Sequence, residues 1–176
     1  MSEHLLSVQD LHTSFFTDSG EVHAVNGVSF NLDPGEVLGI VGESGSGKSV
    51  TAYSIMQILA DTGRITSGHI LYKGQDLTTW DARQMSGFRG KCCSIVFQDP
   101  MTSLNPVFTI GNQLREAIEL HTDRKGKASL ARAIEMLELV GIPDAQACMN
   151  KYPHELSGGQ RQRVMIATAL ITSPKL

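Results

Sequence analysis

The sequence of 176 residues holds three cysteines, one tryptophan and no long hydrophobic run, and each shortage excludes a class of protein. Cys92, Cys93 and Cys148 are odd in number and lack the paired spacing of a metal site. They are expected to be reduced thiols, at least one of them buried, rather than a disulfide framework. No apolar stretch approaches the ~18 residues that a membrane-spanning helix needs. Met1-Ser2-Glu3-His4 has neither the basic start nor the apolar stretch of a secretory signal. The expectation is a cytoplasmic chain whose contact with a membrane goes through a partner. A net charge of −3 gives no general attraction for nucleic acid or anionic lipid. His12, His23, His69 and His121 are scattered without metal-ligand spacing.

Against these absences stands one dense pattern. Gly42-Glu43-Ser44-Gly45-Ser46-Gly47-Lys48-Ser49 matches G-x-x-x-x-G-K-[ST] in full. It follows Val37-Leu38-Gly39-Ile40-Val41, apolar at nearly every position and expected as a parallel strand covered on both faces. Triphosphate oxygens carry dense negative charge, which backbone N–H groups at a helix N-terminus meet with fixed partial positive charge. Gly45 and Gly47 let the backbone wrap closely. Lys48 is a point charge for the β- and γ-phosphates, the Ser49 hydroxyl is a candidate Mg²⁺ ligand, and Val50 follows in the helix's first turn. Downstream, Leu156-Ser157-Gly158-Gly159-Gln160 places two glycines at the start of the last helix, a second anion-binding terminus. A plain N-cap formed by Ser157 is the alternative there.

The first third of the chain reads as strands at Leu5–Leu11, Val22–Val25 and Val28–Leu32, with a turn at Asp33-Pro34-Gly35-Glu36. A helix is expected from the loop's end to about Ile58, a turn over Asp61–Ser67, and strands at Gly68–Lys73 and Ser94–Phe97. Gln98–Pro106 is a loop held open by Pro100 and Pro106. The remainder is helical: Thr109 can cap a helix with Ile110, Leu114, Ala117 and Ile118 on one face. Leu130, Ala133, Ile134 and Leu137 mark the next, and a last helix spans about Gly159 to Thr172.

Together the phosphate loop, the Leu156–Gln160 signature, Phe97-Gln98-Asp99-Pro100-Met101-Thr102-Ser103-Leu104-Asn105-Pro106 and Tyr152-Pro153-His154-Glu155 resemble the ATP-binding cassette (ABC) ATPases, of the oligopeptide and dipeptide importer type. The resemblance implies an α/β fold of the P-loop NTPase class: a core sheet, an antiparallel β subdomain and an inserted helical arm. It implies ATP and Mg²⁺ as ligands. Gln98 would reach Mg²⁺ and the attacking water at the hinge of the arm, and Phe15, with Phe16 as rival, would stack on adenine. Two subunits would pair head to tail, Ser157, Gly158, Gly159 and Gln160 of each closing on the γ-phosphate held by the other. The implied partners are a second ATPase subunit, membrane permease subunits docked around the glutamine loop and arm, and indirectly a peptide-binding protein. Nucleic acid is not among them. The implied location is the cytoplasmic face of a bacterial plasma membrane.

On this reading the chain divides into 1–98, β-rich with the phosphate loop; 99–158, the helical arm; and 159–176, the signature helix. Family members continue after Leu176 into an acidic strand, the Walker B strand, whose Asp supports Mg²⁺ and whose Glu activates water. This chain alone is therefore expected to hydrolyse little ATP. A nucleotide-binding or regulatory module without turnover, and a soluble cassette ATPase unconnected with transport, are the alternatives.

Overall fold

The computed structural model describes residues 4–99 and 103–176. The chain divides into two compact units, Met1–Met85 and Ser86–Leu176.

The first unit is a β-sheet with one helix. Strands β1 (Leu6–Thr17), β2 (Gly20–Leu32), β3 (Gly63–Tyr72) and β4 (Gln75–Asp76) pair antiparallel in the order β2-β1-β3-β4. Leu6 lies opposite both Leu32 and Tyr72, so β1 is central and its apolar residues are covered. Leu6, Val8, Leu11, Val25, Ile70 and Leu77 are among the unit's buried residues. Helix α1 (Lys48–Met56) is fastened to β1 by buried hydroxyls, Thr13 Oγ1 lying 2.9 Å from Ser54 Oγ. A 3-10 turn follows β4 at Leu77–Thr79, and α2 (Ala82–Phe88) crosses the boundary between the units.

Long-range pairing overrides several local expectations. Leu5–Leu11 extends to Thr17, and Val22–Val25 and Val28–Leu32 join as one strand, β2, because the hairpin supplies partners along its length. The expected turn over Asp61–Ser67 is already strand from Gly63, where β3 pairs with Phe15 and Ser14. The expected parallel strand Val37–Val41 is not formed. Its residues have no regular structure, and Val37 and Val41 are 94% and 93% exposed. A strand exists as one rung set of a ladder, and no strand among the described residues pairs with this segment. Ser94–Phe97 is likewise not a strand. At its start Ser94 N–H donates to Leu176 O (2.9 Å), and Leu176 N–H donates to Cys92 O (3.1 Å) just before it.

The second unit is helical. Its helices are α3 (Ile110–His121), α4 (Lys127–Leu139), α5 (Ala145–Cys148) and α6 (Gly158–Leu170), with a 3-10 turn at Pro153–Glu155. Thr109 caps α3 as expected, its side chain accepting from Asn112 N–H. The i, i+4, i+8 residues Ile110, Leu114 and Ile118 are wholly buried against Ala133 and Leu137 of α4 and Val164 and Ala167 of α6. Arg163 of α6 donates to Gly141 O (2.7 Å), so a cation satisfies a carbonyl just past the end of α4. All three cysteines are free thiols, and burial, with Cys92 adjacent, pushes the Cys93 thiol up to about 12. Truncating Leu114 to Ala should cost the helical unit about 2–5 kcal/mol, from lost transfer energy and a cavity. Urea unfolding followed by circular dichroism would measure it.

Candidate phosphate-binding site

The loop ahead of α1 forms a cavity of about 140 Å³ lined by Ala24, Gly45, Ser46, Gly47, Lys48, Ser49 and Val50. Gly47 is the N-cap of α1 in a left-handed conformation (φ 86°), and no side chain caps the helix. Its residue type is dictated twice. The positive φ disfavours any Cβ, and an ideal Cβ there would stand 2.3 Å from Ala24 O on β2. The helix thus begins with its backbone pressed on the hairpin. Its first-turn N–H groups, left without a side-chain acceptor, are the groups that an anion can satisfy.

Lys48 spans this cradle. Its ammonium donates to Gly42 O (2.8 Å), Glu43 O (2.6 Å) and more weakly to Ser46 Oγ (3.4 Å), which holds the positive charge beside the loop backbone. Ser46 N–H donates to Glu43 O (3.2 Å), closing the turn in which Gly45 (φ 82°) takes the second left-handed position. Gly42 through Ser46 and Ser49 are exposed, so the loop is open to solvent. The lining carries one cation and no carboxylate, which suits a polyanion. Of the residues singled out in the sequence, Gly45 through Val50 line the cavity, while Gly42, Glu43 and Ser44 shape its rim by sequence position and, for the first two, through Lys48. Ala24 is a lining residue that the sequence did not reveal. It belongs to β2, and only the contact with Gly47 brings it there.

Phe15 is half-buried on β1, opposite Val22 on β2 and Gly63 on β3. Thr13 and Phe15 pair with Ile65 and Gly63 in unbroken register, so both sit on one sheet face, and Thr13 is bonded to α1. Phe15 therefore stands on the α1 face, and Phe16, 45% exposed, on the other. A Cβ at Gly63 would lie 2.8 Å from the Phe15 ring, so the ring rests where glycine leaves room. Phe15 lies outside the cavity lining.

In the helical unit, Ser157 caps α6. Its hydroxyl accepts from Gln160 N–H (3.3 Å), and Gln160 Oε1 accepts from Ser157 N–H (3.0 Å), a reciprocal capping box. Gly158 and Gly159 are exposed, and a Cβ on either would meet nothing within 4 Å. No contact among the described residues explains their small size. Gln98 is an exposed residue in a bend after the Ser94–Phe97 segment, and Pro100, Met101 and Thr102 of its loop lie outside the described residues. The far end of that loop is ordered by Gln113, whose amide donates to Asn105 O (2.9 Å) and Phe108 O (3.0 Å).

A family profile described as ABC transporter matches residues 25–176. The chain belongs to the ABC transporter family. The dipeptide transport ATP-binding protein DppD of Bacillus subtilis (strain 168) is 51% identical over 175 residues, covering 99% of this chain and 52% of that protein. The oligopeptide transport ATP-binding protein OppD of Salmonella typhimurium is 48% identical over 172 residues, covering 98% and 51%. This ABC family chain thus spans about half the length of the curated relatives it matches. Among solved structures, the ATP-binding cassette MJ0796, in a dimeric post-hydrolysis state with ADP and Pi, superposes with a TM-score of 0.85 at 26% identity. The match covers 96% of this chain and 70% of that one. The α/β architecture with antiparallel sheet and helical unit is accordingly that of an ABC cassette. Because α6 itself has no need of glycine at 159, Gly159→Ala should leave the thermal midpoint unchanged or raise it, by up to about 1 kcal/mol in stability. Calorimetric unfolding would check the sign.

Proposed function

We propose that this chain supplies the nucleotide-binding part of an ATPase subunit that energises import of di- or oligopeptides. The observation that carries the proposal is the lysine-bearing cradle at the uncapped start of α1. Half-identity to proteins named for dipeptide and oligopeptide transport supports the cargo class.

In this reading the N–H groups of Gly45 through Val50 and the Lys48 ammonium hold the triphosphate. A Mg²⁺ ion would be held by the Ser49 hydroxyl and would neutralise charge on the β- and γ-oxygens. Phe15 offers its ring to the base. On β2, Val22 lies opposite Phe15 and Ala24 lines the phosphate cavity. These two stations are two residues apart on β2, and Ala24 sits in the register irregularity where Thr13 faces Val25 and Ser14 faces His23. Ser157, Gly158, Gly159 and Gln160 would close on nucleotide held by a second subunit, and the open space over both glycines supports that role. Val107 and Phe108, 71% and 49% exposed beside the Gln98 loop, are apolar enough to meet a membrane permease. No helix among the described residues is long and apolar enough to cross a membrane. The likeness to transport ATP-binding proteins supports a peripheral place on the cytoplasmic side of the membrane. Segments 1–98, 99–158 and 159–176 would serve as cradle, arm and signature helix.

A second reading has an observation of its own. No carboxylate lines the phosphate cavity, so the 176-residue chain by itself would bind nucleotide without turning it over. General base catalysis typically contributes 10²–10⁴-fold, and phosphate release by this chain should therefore stay near background. Robust Lys48-dependent release would refute that. Lys48→Ala should weaken ATP binding by about 1.5–3 kcal/mol, roughly ten- to a hundredfold, in titration calorimetry. Equal affinity in a folded variant would sink the nucleotide assignment.

A further inference from the structure

Contacts at both ends of α1 join it to the β1–β2 hairpin. One is the Gly47 backbone against Ala24 O, at the phosphate cradle itself. The other is the buried hydroxyl pair in the last turn of the helix, Thr13 (0% exposed) with Ser54 (0% exposed). Buried hydroxyls need partners, and these two find each other across elements 41 positions apart. Ser54 donates its one proton to Val50 O (2.8 Å), so Thr13 is the donor to Ser54. Thr13 is two residues from Phe15 on the same sheet face, in continuous register with β3. The pair therefore fixes the lateral position of the strand that carries Phe15 against the helix that begins in the phosphate cradle.

We infer that Thr13 and Ser54 are positioning residues: their buried hydrogen bond sets where the Phe15 ring stands relative to the phosphate cradle, and so tunes binding of the base end of a nucleotide. This rests on the nucleotide reading above. It also carries an asymmetry. Thr13→Val keeps the side-chain shape and leaves Ser54 bonded to Val50 O, so the fold is retained and only the tie is cut. Ser54→Ala instead leaves the Thr13 hydroxyl buried without its acceptor, which harms the fold first.

The experiment titrates the 176-residue chain with Mg·ATP and, separately, with inorganic tripolyphosphate, which has no base. Thr13→Val should weaken ATP binding roughly five- to tenfold, a part of what a stacked base contributes. Tripolyphosphate affinity should not change, and Thr13→Ser, which restores the hydroxyl, should recover most of the loss. In a Phe15→Ala background, Thr13→Val should have no further effect. Gly63→Ala reaches the same ring directly, through a Cβ 2.8 Å from it and also 3.2 Å from Ala60 O, and in a variant whose thermal midpoint shows it folded should give the same ATP-selective loss with the hydroxyl pair intact. ATP binding unchanged by Thr13→Val, or equal loss of both ligands, would overturn the inference alone. A parent chain that binds tripolyphosphate and ATP equally would overturn the role of Phe15 and the inference with it. Failure of the parent to bind either ligand would instead overturn the nucleotide reading beneath both.

Discussion

The close approach of Gly47 to Ala24 is the constraint on which the rest of the site depends. A helix can start with its first N–H groups pointing into open space only if something other than a side-chain cap fixes its first residue. Here the β2 backbone does so, by leaving no room for a Cβ and holding the left-handed turn. The lysine's bonds to Gly42 and Glu43 carbonyls then tie the two ends of the loop together. Thr51 adds a further hold inside the helix, its hydroxyl donating to Gly47 O (3.0 Å). The open donors of the cradle are thus sustained by packing behind them.

The phosphate loop was legible in the sequence because its chemistry is local: glycines, lysine and serine act within eight consecutive residues. The α3 cap at Thr109 and the Ile110, Leu114, Ile118 stripe were legible for the same reason. The strand expected at Val37–Val41 is not formed, since an apolar run becomes a strand only where another backbone answers it, and its composition says nothing of the partner. The second half of β3 matches the strand expected from Gly68, but its first half, from Gly63 to Ser67, was mistaken for a turn through the converse error: polar, glycine-bounded residues were recruited into the sheet by Phe15 and Ser14. Ala24 and the Thr13–Ser54 pair left no sequence signal at all. They are ordinary small or hydroxyl residues whose importance arises from contacts across 23 and 41 positions. The choice between Phe15 and Phe16, open in the sequence, turns on sheet register, which places Phe15 with α1.

The two helix starts differ in a way that bears on how they would be used. At α1 no side chain serves the first turn, whereas at α6 Ser157 and Gln160 already bond each other's backbone N–H groups. A free anion arriving at α6 has to compete with bonds the helix supplies to itself. Such a terminus is a poor scavenger of dissolved phosphate. On the proposed function it would respond when an anion is delivered already held in place, at the high effective concentration of a docked partner. The self-capped helix would then act as a threshold device, passing over dissolved phosphate in favour of one presented by another protein surface.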